Sequence, residues 1–531
     1  MDRGTQRGTL ERIRRLAFDR VPAGRTVTRT LLVTAGVHTV DPQGPRGARS
    51  VLLDGDRIAW VGADPAGAPP HDATADLGSA WITPAFVDAH VHGTATGLAR
   101  TGLDLTTASS AADLLDRVRR FSADAGDVVM GYGWDDFGWP EPRRPTAAQI
   151  TAAAGGRTVL LSRIDSHSCL VSDRVLDRLP LEGLDGVERD PAGAPTGWLR
   201  EASSQAAMGV VRAHLPPEAL AAARQAACDA ALQLGIASLH EMGVPGMFGL
   251  DDALAWLRGE WPIEVLTWWA EIDIQTTQRH GLRSGGDLFL DGSIGSCTAA
   301  TTQPYGTPPG HGDLFHADEE VAEWFTRCTA EGVGLGVHAI GDRAIEQALQ
   351  AVEVAAAVHG TAAVRACRHR IEHVELPTRD QVDRMGRMGV VASVQPAFDA
   401  TWGGDAGLYA ERFGAQAALR SNPLRWFADA GVVMAFGSDS TVTPLDPTGG
   451  LRAATSHLGG LSVDPDVALA AHTVGCRYVA GQDDVGRCAA GHRADLAVWS
   501  QDPLRLGADG DVACLATIVR GQSTWGEILR Q

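Results

Sequence analysis

Four histidines and one aspartate, each closing an apolar run, are the residues of this chain best placed to do chemistry. The run Pro84-Ala-Phe-Val-Asp-Ala-His-Val-His ends in His90 and His92. On a strand, residues i and i+2 share a face, so both imidazoles would point the same way. His338 closes Val333-Gly-Leu-Gly-Val, His373 closes Arg370-Ile-Glu, and Asp439 closes Val433-Met-Ala-Phe-Gly-Ser. Any one of these could be a core histidine or a helix-capping aspartate, both commoner than ligands. Strand ends that jointly supply four imidazoles and a carboxylate instead describe a divalent-metal site. Imidazole suits zinc, nickel or iron, and zinc is the expected metal, as one ion or two.

The elements that would position these residues follow from the pattern around them. Apolar, β-type runs alternate with Ala-rich helical stretches, as in a parallel sheet covered by helices. Eight runs read as strands: Ile82–His92, Ile236–Glu241, Ile263–Glu271, Leu288–Asp291, Gly334–His338, Arg370–His373, Val390–Gln395 and Val433–Asp439. Eight such strands make a (β/α)8 barrel, whose sites form at the strands' C-terminal ends. The stretch between the first two is too long for one crossover. Residues of about 104–215 therefore read as an inserted subdomain over the barrel mouth. Short strands and turns occupy 27–80 and recur at Ala494-Asp-Leu-Ala-Val-Trp and Leu515-Ala-Thr-Ile-Val. This divides the chain into a charged N-terminal extension (1–26), a composite β-sandwich from 27–80 and 485–531, and a barrel over 81–484.

Composition narrows the partners. The 531 residues carry a net charge of −19, which disfavours nucleic acid and anionic membranes. No apolar run approaches the roughly 18 residues that span a bilayer. The eight cysteines form no CxxC pair, so a reducing cytoplasm fits better than a disulfide framework. A small-molecule substrate is expected, with a homodimer as an open option.

The order HxH, H, H, D resembles the amidohydrolase superfamily, and its family-3 branch in detail. The segments that carry the resemblance are Thr83-Pro-Ala-Phe-Val-Asp-Ala-His-Val-His, Gly131-Tyr-Gly-Trp-Asp-Asp, Asp165-Ser-His, Gly197-Trp-Leu-Arg-Glu, Asp291-Gly-Ser-Ile-Gly-Ser, His338-Ala-Ile-Gly-Asp, Ile371-Glu-His, Gln395-Pro, Gly437-Ser-Asp-Ser and Ala494-Asp-Leu. The resemblance implies a (β/α)8 barrel, a sandwich built from both termini, and hydrolysis of non-peptide C–N bonds such as N-acyl or formamide groups. It also implies that Asp439 shuttles the proton, and that His373 and His338 complete the metal shell or stabilise the oxyanion.

The chain departs from the family at one position. Relatives carry a strand-four lysine, which in several branches is carbamylated and bridges two metals. Here Asp287 stands there, and all 46 Lys/Arg residues are arginine. A single metal, a pair bridged by Asp287, Asp291 or Glu201, and a weakened inactive site are the three outcomes open. His167, Trp134 and His240 are candidate substrate contacts; Trp139 and Trp198, with Trp134, could also close over an apolar or aryl group, though core packing is the commoner role for each of these aromatics. Glu372 should face away from the axis by strand alternation. His311, His369, His472 and His492 read as surface residues. A one-metal deaminase using Glu346 or Glu375, or a barrel without catalysis, are the competing functions.

Overall fold

The computed structural model describes residues 29–141, 143–307, 309–505 and 512–526. The expected N-terminal extension lies outside the described residues. The fold is α/β. At its centre are two four-stranded sheets, each parallel throughout. The first holds β1 (Phe86–Val91), β2 (Ile236–Gly243), β3 (Glu264–Trp269) and β4 (Arg283–Ser284). The second holds β5 (Gly336–Ala339), β6 (Arg370–His373), β7 (Val391–Val394) and β8 (Met434–Phe436). Parallel bridges join their edges on both sides: Ser284 with Leu335 and Phe289 with His338, and Val91 with Ser440. Helices lie between successive strands, among them Gly249–Arg258, Asp318–Ala330, Asp342–His359 and Arg379–Met388. The strands are buried on both faces, which is why they read as continuous apolar runs rather than alternating ones.

Two of the expected strands are drawn differently. The run Ile82–His92 is not one strand. It divides at Ala85, and Trp81–Pro84 belongs to another sheet, antiparallel to Leu496–Trp499. Ala85 N bonds the Asp495 carbonyl and Phe86 N the Gly235 carbonyl, so adjacent residues serve different sheets. The fourth strand lies earlier than Leu288–Asp291. Gly285 and Gly286 both have positive φ, and a Cβ on Gly285 would sit 1.9 Å from the Gly336 carbonyl oxygen. The chain kinks there and then runs beside β5, with His338 N donating to Leu288 O and Leu290 N to His338 O.

Both chain ends meet in the five-stranded sheet Gly36–Val37, Trp81–Pro84, Leu496–Trp499, Cys514–Val519 and Gln522–Trp525. It shares one apolar cluster, including Leu32, Val51, Ile58, Ile82, Leu496 and Ile518, with the sheet of Arg29–Val33, Ser50–Asp54, Arg57–Gly62 and Ala73–Asp76. A separate six-stranded sheet runs from Leu103–Asp104 to Pro195–Arg200.

Candidate metal centre

The C-terminal ends of β1, β5, β6 and β8 converge, and with them His90, His92, His338, His373 and Asp439. Asp287, just past the glycine kink, stands at their middle. Its carboxylate lies 3.3 Å from His92 Nε2, 3.8 Å from His90 Nε2, 3.2 Å from His338 Nδ1 and 3.6 Å from His373 Nε2. Asp439 Oδ1 lies 3.4 Å from His92 Nε2 and 3.6 Å from His90 Nε2. Three overlapping triads could each hold an ion: His90, His92 and Asp287; His90, His373 and Asp439; and Asp287, His338 and His373.

Each imidazole gives one nitrogen to the protein and the other to this centre. His90 Nδ1 is 2.9 Å from Glu372 Oε2, and His92 Nδ1 is 3.1 Å from the Met242 carbonyl. Both acceptors require a proton on Nδ1, which leaves Nε2 with a lone pair. His373 does the same through Gln395 Oε1 at 2.9 Å. His338 is reversed: its Nε2 faces the Gly292 carbonyl at 3.3 Å and its Nδ1 faces Asp287. An acceptor behind each ring fixes the tautomer that binds metal. His90 Nε2, His373 Nε2 and Asp439 Oδ1 are buried without a hydrogen-bond partner. Unsatisfied buried polar atoms are rare and costly, and three at one point fit a cation as their missing partner. Burial would raise both carboxyls, but His90 and its neighbours hold Asp287 well below the usual range and Asp439 below it as well. Two ionised carboxylates among imidazoles are the donor set of a divalent ion.

Backbone strain aims these side chains. His373 and Asp439 have φ of 70° and 51°, in the left-handed region that non-glycine residues seldom enter. This breaks strand alternation and overturns the expectation for Glu372. Arg370 and Glu372 also face inward, directly beneath the imidazoles. Glu372 is fully buried, bonded to His90 and ion-paired with the Arg370 guanidinium, which also donates to Ala89 O and Ser393 Oγ, each at 2.6 Å. Asp88 Oδ1 accepts from Ser438 N at 3.0 Å and so ties β1 to the loop that carries Asp439.

The other sequence candidates separate. Asp291 is engaged by the backbone: its oxygens accept from the N–H groups of Ile340, Gly341 and Ala300, and burial pushes its carboxyl up to about 7. Glu201 is engaged elsewhere, with His167 Nδ1 at 3.0 Å and Thr298 Oγ1 at 2.6 Å. His167 does face the cavity over the centre, its ring 5.6 Å from that of His338. Burial opposes its charge, yet Glu201 lifts its pKa to about 9. His240 lies below the ligands, against Trp268 and beside Arg370, and burial together with Arg370 holds it well below its usual pKa. Trp134 is core: fully buried, with its indole N–H on the Leu161 carbonyl. Trp139 donates to Ala108 O, and Trp198 lies under the Arg144 guanidinium. Glu346 pairs with Arg384 on the helix surface, whereas Glu375 lines the cavity. His369 and His472 are buried, not superficial, and held neutral.

The sequence resemblance extends to proteins of known sequence and structure. The model of the amidohydrolase family matches residues 73–524. The putative amidohydrolase YtcJ of Bacillus subtilis is 26% identical over 474 residues, covering 82% of this chain and 87% of that protein. The N-substituted formamide deformylase of Arthrobacter pascens is 24% identical over 524 residues, covering 89% and 94%. An uncharacterised metal-dependent hydrolase from Pyrococcus furiosus superposes with a TM-score of 0.70 at 25% identity, over 90% of this chain and all of that one.

Proposed function

Because this chain belongs to the amidohydrolase family, and is a hydrolase acting on C–N bonds, we propose that it cleaves a non-peptide amide, an N-acyl or formamide group, by metal-activated water. The observation that carries this reading is the convergence of four imidazoles on the carboxylates of Asp287 and Asp439, with His90 Nε2 and His373 Nε2 buried and without a hydrogen-bond partner. We read the site as binuclear, with zinc as the metal. His90, His92 and Asp439 would hold one ion and His338 and His373 the other, with Asp287 between them in the place of the family's lysine. Bound there, such ions lower the pKa of water toward neutrality and polarise a carbonyl.

The protein's own groups supply the rest. Asp439, on the cavity side of His92, takes the proton from the attacking water and passes it to the leaving nitrogen. His167, kept protonated by Glu201, donates to the substrate carbonyl oxygen as charge builds on it. Glu372, Met242, Gln395 and Gly292 hold the imidazole tautomers. In the same reading the two parallel sheets close into a (β/α)8 barrel, the terminal sheets form one composite domain, and residues 104–215 roof the site. The eight cysteines, all free, suit a cytoplasmic protein. Homodimerisation remains a proposal that sedimentation would decide.

The test combines elemental analysis with a formamide and N-acyl substrate screen. The metal-loaded protein should carry about two ions per chain and release formate or another acid from some member of the screen. D287N should lose at least one ion per chain. A D287N protein with the full metal content would refute the bridging role.

A further inference from the structure

The cavity has a wing that the hydrolytic chemistry leaves without a task. It lies beside the ligand layer, walled by Ile294, Phe398, Trp402, Leu408 and Val442. Phe398 stacks parallel to His373 with centroids 6.1 Å apart, so the wing opens next to the centre itself. Trp402 packs edge-on to Phe398 at 5.1 Å and lies 6.4 Å from Tyr409. Walls of this kind receive a hydrocarbon or aryl arm.

One lining residue does not belong in an apolar slot. Glu375 is 2% exposed. A buried carboxyl is costly unless it is paired. The Tyr409 hydroxyl donates to Oε2, and the Asn422 side chain is a second hydrogen-bonding neighbour of the carboxyl. Asn422 also donates its backbone N–H to the Glu375 carbonyl at 2.7 Å. The cavity's one arginine cannot balance Glu375, because Arg163 is already held by Asp135, Asp136 and Asp165. A buried acidic group whose hydrogen-bond partners are neutral, facing aromatic rings, is complementary to a cation.

We propose that the wing selects substrates whose arm ends in a basic amine, the ammonium group resting on Glu375 Oε1 against the rings of Trp402 and Phe398. The proposal rests on the hydrolase reading for its catalytic consequence, and only on the wing for binding. Two matched substrate pairs test it. One places a terminal ammonium or a terminal methyl on the amine arm of an N-formyl alkylamine. The other places them on the acyl arm of a simple amide. The ammonium member of one pair should show kcat/KM higher by about tenfold or more. In E375Q that ratio should collapse toward one, while the amide oxygen still accepts from Tyr409. A preference for methyl, a ratio that survives in E375Q, or an equal loss on both members would overturn the proposal.

Should wild type hydrolyse neither pair, the hydrolase reading fails on these substrates, and binding decides the wing separately. Hexylammonium and hexan-1-ol would then be titrated calorimetrically into the metal-loaded protein. Ammonium binding that E375Q weakens at least fivefold, with the alcohol little changed, supports the wing. Equal binding of the two, or none, overturns it.

Discussion

At the scale of single residues, the site divides into groups that meet the reaction and groups that hold those groups still. Asp439 is in the first class. D439N keeps the size and hydrogen-bonding shape of the side chain but removes the proton acceptor, so turnover should fall by about 10³-fold or more, with an unchanged circular dichroism spectrum. Near-normal turnover would remove Asp439 from the mechanism. His369 is in the second class, remote from the cavity. Its Nδ1 accepts from Leu335 N and its Nε2 meets Thr329 Oγ1, so the ring is bonded as the neutral form. Burial holds its pKa at about 4, as it does for His472. The unfolded chain takes up these protons near 6.5, before the folded protein does. Stability is therefore complete above pH 6.5 and is lost as pH falls toward 4. Thermal melts across that window should show the decline, and H369Q should flatten it; an unchanged slope would exclude His369. The five strand-end residues that converge here were legible in the sequence because a polar residue closing an apolar run stands out. Arg370 and Glu372 were not. Period-two alternation turned Glu372 outward, and nothing local announces the positive φ at His373 that puts it inside.

At the scale of elements, what matters is how closely β8 approaches β1. A Cβ on Gly437 would lie 2.6 Å from His90 N and 2.9 Å from His90 Cβ. G437A must therefore push the first ligand strand away from the loop bearing Asp439. The variant should bind metal at least about tenfold more weakly, the penalty expected when the support of a ligand is disturbed. Chelator competition would measure it, and wild-type affinity would show that the two segments can yield. The glycine kink before Asp287 works in the same way, because it turns the chain so that the aspartate reaches the four imidazoles. Most strands were legible from their apolar runs. The fourth was legible only in its second part: Leu288–Leu290 does run beside β5, but the short segment Arg283–Ser284 that pairs with β3 carries no apolar signature. The division at Ala85 was hidden because both halves are β-type, and only pairing partners distant in sequence distinguish them.

At the scale of the whole molecule, the terminal sheets are fastened to the parallel sheets by charge as well as by apolar packing. Glu264 on β3 is ion-paired with Arg477 and Arg493, and both arginines also meet Asp495 beside the strand Leu496–Trp499. Burial would raise the Glu264 carboxyl, yet the two arginines hold it down at about 2. E264Q leaves two largely buried guanidinium groups short of a counter-charge, and such losses cost about 3–5 kcal/mol. Its melting temperature should drop by several degrees, without a change in metal content if the network is purely structural. A wild-type melt would show that Asp495 suffices alone. The sequence indicated that both ends build one sheet region, but not that a charge network pins it, since Glu264 and Arg477 lie in unremarkable contexts.

The junction at Ala85 has a consequence for biosynthesis. His90 and His92 leave the ribosome on the same stretch of chain as Trp81–Pro84, whose partner Leu496–Trp499 is translated long afterwards. Until then the nascent polypeptide carries an unpaired edge directly ahead of its first two ligands. A product truncated before Leu496 would therefore expose a sticky edge where the paired strands have a closed seam.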